Sequence, residues 1–387
     1  MSETKTALIL GNGQLAQILR NAGKKIEVVC EMLAPDQINA QYLKERYDSV
    51  DAILFESEFT SPALFTGFKD TKKIFPSPAV MKKIQNKLTQ KEIVASLGIP
   101  QPTFSSYVAQ RYTSVDAWVN HSAKGTALGT VFKWAMHGYD GKGVFINLAK
   151  DVTSELFDFC REAVKKNVDL YCEQYIPFKR EFAIVSTRSQ TGQILHYPLV
   201  ETVQKKGVCF SVEGPSSQLG VPPHLKNDAE QIAKTIGESQ DIVGTYAIEL
   251  FEGEDSKLYI NEIAPRVHNS GHYSIEASAA SQFENHLRAC LGMELIAPKT
   301  PKYFFMLNLL GPEGMQGTIP AEVHFKLPKI NGVTLHWYNK LDVRPYRKLG
   351  HLTYVCASRN ELRDAKTTLT DWVGHEYSQQ LKEVIKK

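Results

Sequence analysis

A polar twelve-residue segment, Asn261–His272, is the feature that most constrains what this chain can fold into and do. It carries a carboxylate, a guanidinium, two imidazoles and two amides. The residues before it have the composition of two β-strands, Thr245–Phe251 and Lys257–Ile260, separated by the turn residues Glu252–Ser256. The sequence therefore predicts an antiparallel hairpin whose second strand leads into the polar segment.

Two carboxylates of this hairpin are candidate cation ligands. When the strands are paired about the middle of the turn, Glu249 lies opposite Ile260. Glu262 is then a diagonal neighbour of Glu249 on the same face, roughly 7–8 Å away between α-carbons. Two carboxylates so placed could bind one or two hard cations. A register shifted by one residue would put them on opposite faces, and a solvated hairpin with charged flanks is the alternative.

The bulk composition is that of a globular protein with more than one domain. At 387 residues the chain is too long for one ordinary core, so two or three domains are expected. A net charge of +3 argues neither for nor against nucleic acid, but without a dense basic run we predict no nucleic-acid partner. The six cysteines are scattered, as in a reducing compartment. Without a signal peptide or a membrane-length apolar run, we predict a cytoplasmic protein with no membrane partner.

The amino-terminal residues 1–100 have the pattern of a small α/β domain. A short apolar strand, Ala7–Leu10, is followed by Gly11–Ala16, a G-x-G-x-x-A motif that opens a helix. Small residues there would let backbone N–H groups approach a phosphate. Glu31 follows the next strand, Ile26–Cys30, which makes a nicotinamide dehydrogenase the first rival. A simple tight turn is the other alternative.

Two further features complete this domain. A third apolar run, Ala52–Phe55, leads into Glu56-Ser57-Glu58 at the carboxyl end of a strand, where open parallel sheets collect ligands. Ser77-Pro78 caps a helical stretch that contains Lys87 and ends at Gly98. The residues from Gly98 to Pro102 are the predicted linker.

The middle of the chain carries a candidate phosphate loop. The strand Thr130–Lys133 ends in a lysine, and the glycine-rich segment Gly138–Gly143 follows before a second strand, Val144–Leu148. Such a loop can donate N–H groups to phosphates while the strand lysine supplies charge. A flexible hairpin is the alternative. Further along, helices are predicted over Asn227–Glu238 and Ser274–Gly292.

A basic loop lies within Leu335–His351. Lys340, Arg344, Arg347 and Lys348 surround a tight turn. Four cations so grouped indicate a phosphate clamp, and a solvated basic loop is the alternative.

Taken in order, these features resemble the N5-carboxyaminoimidazole ribonucleotide synthetase family of the ATP-grasp superfamily. The resemblance spans nearly the whole chain, and the segment Asn261–His272 is its most specific part. The other matching strings are Gly11–Leu15, Lys87–Lys91, Gly138–Gly143, Glu173-Gln174 with Glu181, Ser281–Glu284, His336–Lys340 and Arg347–His351.

The resemblance implies a fold, a reaction and partners. The fold is mixed α/β and α+β, an ATP-grasp fold with an amino-terminal Rossmann-like (pre-ATP-grasp) domain. Its parts would be residues 1–100, a small subdomain over 101–172, and a large domain over 173–387. The reaction is ATP- and bicarbonate-dependent carboxylation of the amine of 5-aminoimidazole ribonucleotide through carboxyphosphate, in purine biosynthesis. Mg²⁺ would assist, and the protein would be a homodimer with small-molecule substrates only.

The resemblance also assigns site residues. Those implied for ATP are Lys87, Lys133, Gly138, Tyr139, Asp140, Gly141, Lys142, Gly143, Glu173, Gln174, Ile176, Glu181, Gln204, Asn261 and Glu262. The implied metal ligands are Glu249 and Glu262. Those implied for the ribonucleotide are Gln14, Tyr139, Asn269, Lys340, Arg347 and Lys348, and the implied catalytic residues are Lys133, Asp140, Arg266 and His268.

Several positions depart from the family pattern. They include Trp134, Ala135 and His137 around the glycine-rich loop, and Ala16, Arg180, Gln204 and Tyr346 elsewhere. None removes a metal carboxylate or a main substrate-binding residue. They leave two alternatives open: another ATP-grasp carboxylate–amine ligase, and a non-catalytic nucleotide-binding paralogue. The dehydrogenase hypothesis fails because the basic loop and acidic hairpin have no role in hydride transfer.

Overall fold

The fold is taken from a computed structural model, which describes residues 4–124, 127–136, 138, 143–148, 151–301, 303–320 and 323–385. Among these residues, no helix combines the length and apolar character needed to cross a membrane.

The amino-terminal part is a parallel sheet of strand order β2-β1-β3-β4 with helices packed against it. Strand β3 is buried along its whole length, because a parallel sheet covered on both faces excludes water from every residue. The elements are β1 (Thr6–Leu10), α1 (Gln14–Lys25), β2 (Val29–Met32), α2 (Ala40–Arg46), β3 (Ala52–Phe55), β4 (Ile74–Phe75), α3 (Pro78–Ile84) and α4 (Lys87–Ser96).

The helical stretch predicted after Ser77 is two helices. Ser77 Oγ accepts a hydrogen bond from the backbone N–H of Val80 and caps α3, as predicted. The Asn86 side chain then accepts from the N–H groups of Leu88 and Thr89 and starts α4 anew. Because Asn86 adopts an extended backbone to cap the second helix, the chain turns there, and Lys87 becomes the first residue of α4.

A small antiparallel sheet of order β5-β8-β6-β7 follows, with two helices that share an apolar core with it. Trp118 of α5 and Phe132 of β6 are fully buried and pack edge to face. The elements are β5 (Phe104–Ser106), α5 (Val115–Lys124), β6 (Thr130–Trp134), β7 (Val144–Asn147), α6 (Ser154–Lys165) and β8 (Leu170–Gln174).

A large sheet of order β14-β13-β9-β11-β12-β15-β19-β17 forms the rest, with antiparallel pairing throughout the described register. Strand β10 pairs with β9 at the side of this sheet, and β16 and β18 form a separate two-stranded antiparallel sheet. The elements of this part of the chain are β9 (Phe178–Arg188), β10 (Ile194–His196), β11 (Val200–Lys205), β12 (Val208–Gly214), α7 (Pro223–Ser239), β13 (Gly244–Gly253), β14 (Leu258–Ala264), α8 (Gln282–Cys290), β15 (Tyr303–Leu310), β16 (Gly317–Thr318), β17 (Val333–Trp337), β18 (Asp342–Val343), β19 (Lys348–Cys356), α9 (Arg359–Trp372) and α10 (Ser378–Val384).

The helix predicted over Ser274–Gly292 is wrong in extent. A 3-10 segment covers Asn269–Ile275, and the α-helix α8 begins only at Gln282. The Ser281 side chain accepts a hydrogen bond from the N–H of Glu284, which fixes the helix start there. Apolar spacing alone did not reveal this capping serine inside the predicted helix. The helix predicted over Asn227–Glu238 is confirmed within α7.

Candidate active site

A cleft of about 940 Å³ opens between the small sheet and the large sheet. The start of α1 and the loop that follows β3 line it as well, so the amino-terminal sheet also contributes to the cleft. The predicted site residues that line it are Gln14, Lys87, Lys133, Gly138, Glu173, Gln174, Ile176, Glu181, Gln204, Glu249, Asn261, Glu262, Arg266, His268, Asn269, Lys340, Arg347 and Lys348.

The glycine-rich segment falls largely outside the described residues. His137, Tyr139, Asp140, Gly141 and Lys142, for which roles or departures were predicted, lie outside them. Of the two described ends of the segment, Gly138 lines the cleft, and Gly143 directly precedes β7 with a backbone φ of +74°.

The acidic hairpin is confirmed, but its predicted register is wrong. Glu249 on β13 pairs directly with Glu262 on β14, and Leu250 rather than Glu249 lies opposite Ile260. The error has two sources: the strands pair about Asp255 and not about a point between Glu254 and Asp255, which puts Leu250 opposite Ile260. A β-bulge between Glu249 and Leu250 then shifts the register by one more residue, because Asn261 is added to β14 at that point. The two carboxylates are therefore direct neighbours across the hairpin and not diagonal ones, which brings them closer than predicted.

The electrostatics of this carboxylate pair favour a cation between them. Burial, and then repulsion from Glu262, raise the pKa of Glu249 to about 7. Lys87 Nζ lies 2.8 Å from Glu262 Oε2. Burial alone would lower the pKa of Lys87, but the negative charge of Glu262 raises it. Glu181 lies near the negative charge of Glu249. Burial, and secondly the charge of Glu249, raise the pKa of Glu181 to about 7.

Lys133 of β6 reaches both sheets. Its Nζ contacts Glu173 Oε1 on the neighbouring strand β8 and lies 3.2 Å from Asn261 Oδ1 on the hairpin. The Glu173 side chain, which is 3% exposed, is also bound by Lys91 Nζ at 2.7 Å from Oε2. The Glu173 carboxylate is thus occupied by two lysines.

Arg266 is held by a carboxylate that the sequence did not assign to it. Its Nη2 donates to Glu58 Oε1 at 2.8 Å, its Nε contacts Glu58 Oε2, and its Nη1 donates to the carbonyl of Val267 at 3.0 Å. Burial alone would raise the pKa of Glu58, but the Arg266 guanidinium lowers it to about 2. The only sequence signal for Glu58 was its place at the carboxyl end of β3.

His268 lies in residues 265–272, the part of the polar segment that follows β14 and that we call the polar turn. Its Nδ1 is 2.9 Å from Ser270 Oγ, and its Nε2 is 3.6 Å from Glu249 Oε1. Burial, followed by the charges of Arg266 and Lys348, lowers the pKa of His268 to about 3, so the imidazole is neutral at physiological pH.

Four amide side chains hold this turn in place, and the sequence had assigned no role to two of them, Gln282 and Asn308. Gln282 donates to the carbonyl of His268 at 2.6 Å and accepts from its N–H at 3.0 Å. Asn308 and Asn269 exchange two hydrogen bonds, of 3.0 and 2.7 Å, which fix the amide of Asn269. Gln14 Nε2 lies 3.0 Å from Nε2 of His272, whose other ring nitrogen faces Gln282. Their pairing connects residues far apart in sequence, so no local pattern could have found it.

The basic loop meets the cleft through its side chains. Lys340, Arg344, Arg347 and Lys348 all line the cleft. Lys340 Nζ donates to the carbonyl of Lys348 at 2.6 Å, and Asp342 binds both Arg344, at 3.3 Å, and Arg347. The basic loop therefore faces the cleft and is held by its own contacts, and its role as a phosphate clamp stays a prediction.

The amino-terminal glycine turn binds a carboxylate of the chain itself. The N–H groups of Gly13 and Ala16 donate to the two oxygens of Glu56, at 3.0 and 3.1 Å. A Cβ on Gly11 would lie 1.9 Å from Glu56 Oε2, which explains the glycine there. A phosphate at these N–H groups would have to displace the Glu56 carboxylate. Glu31, the candidate ribose acid of the rival hypothesis, pairs instead with Arg46.

Two family models match the chain. The ATP-grasp domain model matches residues 92–283, and the phosphoribosylaminoimidazole carboxylase C-terminal domain model matches residues 305–365. The first match covers the small sheet and the acidic hairpin, and the second covers the basic loop.

Sequence similarity to a curated relative identifies the family of this chain. N5-carboxyaminoimidazole ribonucleotide synthase of Synechococcus elongatus is 34% identical over 385 residues, which cover 94% of this chain and 92% of the relative. The chain belongs to the N5-carboxyaminoimidazole ribonucleotide synthase family. It is therefore an ATP-dependent carbon–nitrogen ligase of the ATP-grasp type. Phosphoribosylaminoimidazole carboxylase of Schizosaccharomyces pombe is similar as well, with 30% identity covering 96% of this chain and 68% of that protein.

Solved structures of the synthase family share the whole fold. Carboxyaminoimidazole ribonucleotide synthase of Aspergillus clavatus complexed with ATP has a TM-score of 0.82 and 27% identity, covering 96% of this chain and 98% of that one. The Thermotoga maritima synthetase has a TM-score of 0.75 and 26% identity, covering 96% and 98%. These likenesses confirm the predicted ATP-grasp fold with its amino-terminal domain.

Proposed function

We propose roles for the individual cleft residues in a chain that catalyses ATP-dependent carboxylation of the amine of 5-aminoimidazole ribonucleotide, a step of purine biosynthesis. The reaction follows from the synthase family, of which an Aspergillus clavatus member has been solved in complex with ADP and this ribonucleotide. The observation that carries the residue roles is the cleft itself, where paired carboxylates, lysines and the basic loop face one another.

The nucleotide would lie between the small and large sheets. Lys87 contacts Glu262 and Lys133 contacts Asn261 at the cleft end of the acidic hairpin, and we assign both lysines to the ATP phosphates. Because two lysines occupy the Glu173 carboxylate, the backbone from Glu173 to Ile176 is the part that would meet adenine. Glu181 would accept the ribose hydroxyls, and Gln204 borders the same region, while Gly138–Gly143 would cover the phosphates.

Magnesium fits the acidic hairpin. Glu249 and Glu262 are directly paired, repel each other, and have Asn261 between them as a further oxygen donor. Hard cations prefer such carboxylate and amide oxygens. Bound there, Mg²⁺ would neutralise charge on the β- and γ-phosphates as the phosphoryl group transfers. The position of Lys87 Nζ beside Glu262 supports this, since the chain itself already places a cation there.

Bicarbonate is a weak electrophile and must be activated before an amine attacks it. One of its oxygens would attack the γ-phosphorus of ATP, which forms carboxyphosphate and releases ADP, with Lys133 stabilising the charge of the transferring group. Arg266 is proposed to hold the bicarbonate. Because Glu58 occupies two nitrogens of the Arg266 fork, binding of bicarbonate would require Glu58 to give up part of that contact.

The acceptor amine would approach from the other side of the polar turn. Its nitrogen attacks the carbonyl carbon of carboxyphosphate, phosphate leaves, and the amine loses a proton, which we assign to Asp140 on the strength of the resemblance. Neutral His268 can donate or accept a hydrogen bond to the reacting carboxyl group. Closure of the Gly138–Gly143 loop would keep water from the intermediate.

The ribonucleotide itself would be held by its polar groups and its phosphate. Asn269, Gln14 and Tyr139 are proposed to contact the ribonucleotide. Its phosphate would bind Lys340, Arg347 and Lys348, because a cluster of cations on a preformed loop suits a dianion.

A coupled assay tests the substrate assignment. We expect ADP release from ATP and bicarbonate only when 5-aminoimidazole ribonucleotide is present, since the amine completes the reaction. Omitting bicarbonate and, separately, the ribonucleotide gives the two controls. Equal ADP release with and without the ribonucleotide, or no release at all, would contradict the substrate assignment.

Assembly, location and domain limits belong to the same proposal. We infer a homodimer, by analogy with the family, and a cytoplasmic location, supported by the free cysteines Cys30, Cys160, Cys172, Cys209, Cys290 and Cys356. The division into residues 1–100, 101–172 and 173–387 stays a prediction.

A further inference from the structure

Helix α4 carries a buried lysine, Lys91, to which the reaction assigns no role. Its side chain is 3% exposed, and its Nζ lies 2.7 Å from Glu173 Oε2 and 3.3 Å from the carbonyl oxygen of Ile260. A buried ammonium is costly unless it is paired and hydrogen-bonded. An apolar residue would fill the same space at lower electrostatic cost, so the charge of Lys91 calls for an explanation.

The carboxylate that binds Lys91 also binds the proposed phosphate lysine. Glu173 Oε1 contacts Lys133 Nζ, so the three side chains form a buried row, Lys91–Glu173–Lys133, which we call the lysine triad. Burial alone would raise the pKa of Glu173, but Lys133 and Lys91 lower it, and the carboxylate is ionised. Burial lowers the pKa of Lys91, and the ionised Glu173 carboxylate at 2.7 Å opposes that shift. With both lysines protonated, two cations share one anion, and the triad keeps a net positive charge.

The helix that presents Lys91 is fixed to the acidic hairpin along one face. Lys87, four residues earlier, binds Glu262 at 2.8 Å. Gln90 donates to the carbonyl of Ile263 at 2.9 Å and accepts from its N–H at 2.9 Å. Residues three and four apart share a helix face, so α4 positions the triad and the carboxylate pair together.

We propose that Lys91 is a positioning residue for phosphoryl transfer, which shares Glu173 so that Lys133 keeps a positive charge to present to the terminal phosphates of ATP. The inference rests on the phosphate role proposed above for Lys133. Without Lys91, Glu173 would neutralise Lys133 and hold its ammonium away from the nucleotide. The contact between Lys133 Nζ and Asn261 Oδ1 would then be left to oppose Glu173 and direct the ammonium towards the hairpin.

Charge-matched variants of the full-length protein test this idea. In Lys91→Met the triad is neutral, and we expect kcat/KM for ATP to fall roughly 100-fold, the order of effect of losing one preorganised electrostatic group. In the double variant Lys91→Met/Glu173→Gln the anion is gone as well. Because Lys133 then regains its free charge, activity should return to within about tenfold of the wild type.

Controls separate this role from folding and from the proposed function. Lys83→Met, on an exposed position of α3, should behave as the wild type. Wild-type protein without ribonucleotide-dependent ADP release would overturn the proposed function itself. With an active wild type, a Lys91→Met variant as active as Lys83→Met would overturn the inference. If Lys91→Met does not fold, the test rests on the double variant. A folded double variant with less than about 1% of wild-type activity would contradict the proposal that Lys91 shares Glu173 with Lys133.

Discussion

The ion pair between Glu58 and Arg266 joins the amino-terminal domain to the polar turn, and its contribution to stability can be worked out. The perturbation is Glu58→Gln, which keeps the shape and removes the charge. A Glu58 pKa that falls from 4.5 to about 2 on folding corresponds to roughly 3 kcal/mol of stability at neutral pH. The side chain is 19% exposed, so solvent screening reduces this figure only modestly.

The sign of the pH dependence follows from the direction of the shift. Folding favours the carboxylate, so the contribution is complete above the unfolded pKa of 4.5 and is lost as the pH falls from 4.5 to about 2. At pH 3 only the interval from 3 down to 2 remains, which is about 1.4 kcal/mol. The difference between wild type and Glu58→Gln should therefore shrink by about half between pH 7 and pH 3.

Thermal unfolding provides the assay. For a chain of 387 residues, an unfolding entropy of about 0.8 kcal/mol/K converts 3 kcal/mol into a Tm decrease of about 4 °C at pH 7 and about 2 °C at pH 3. Glu294→Gln, at an exposed position, is the matched control and should leave Tm unchanged at both pH values. Equal Tm values for wild type and Glu58→Gln at pH 7, or a difference that does not shrink towards pH 3, would refute the reasoning.

Three further predictions concern the cleft and its supports. Glu262→Gln should abolish magnesium-dependent turnover because it removes a proposed metal ligand, while the far-UV circular dichroism spectrum stays unchanged; retained activity would exclude the metal role. Lys348→Met should raise KM for the ribonucleotide by at least about tenfold and leave KM for ATP unchanged, since one phosphate cation is lost; an equal rise in both would show a general defect. Gly11→Ala should cost roughly 2 kcal/mol of stability, because its Cβ would lie 1.9 Å from Glu56 Oε2 and its φ is +145°, and an unchanged Tm would contradict that clash.

Residues close together in sequence were predicted well. The hairpin that carries Glu249 and Glu262, the capped helix at Ser77 and the strand that carries Lys133 are local patterns, and the structure confirms them, with the last strand one residue longer than predicted. The errors arose where single residues alter the pairing of two strands or the start of a helix. The turn centred on Asp255 and the bulge at Asn261 each moved the hairpin register by one residue, and the Ser281 cap delayed a helix. None of these is visible in apolar periodicity.

The sequence by itself determined the family, the two-carboxylate hairpin and the types of residue in the cleft, because these depend on local spacing and on a long specific string. Only the tertiary structure decided which partner each charge has. Glu58 binds Arg266, Glu56 closes the glycine turn, and Glu173 lies between Lys91 and Lys133. Buried charges must be paired, and the partner is whichever group the packing of distant strands brings within reach. The segment Asn261–His272 supplies the functional groups, and their surroundings come from the rest of the fold.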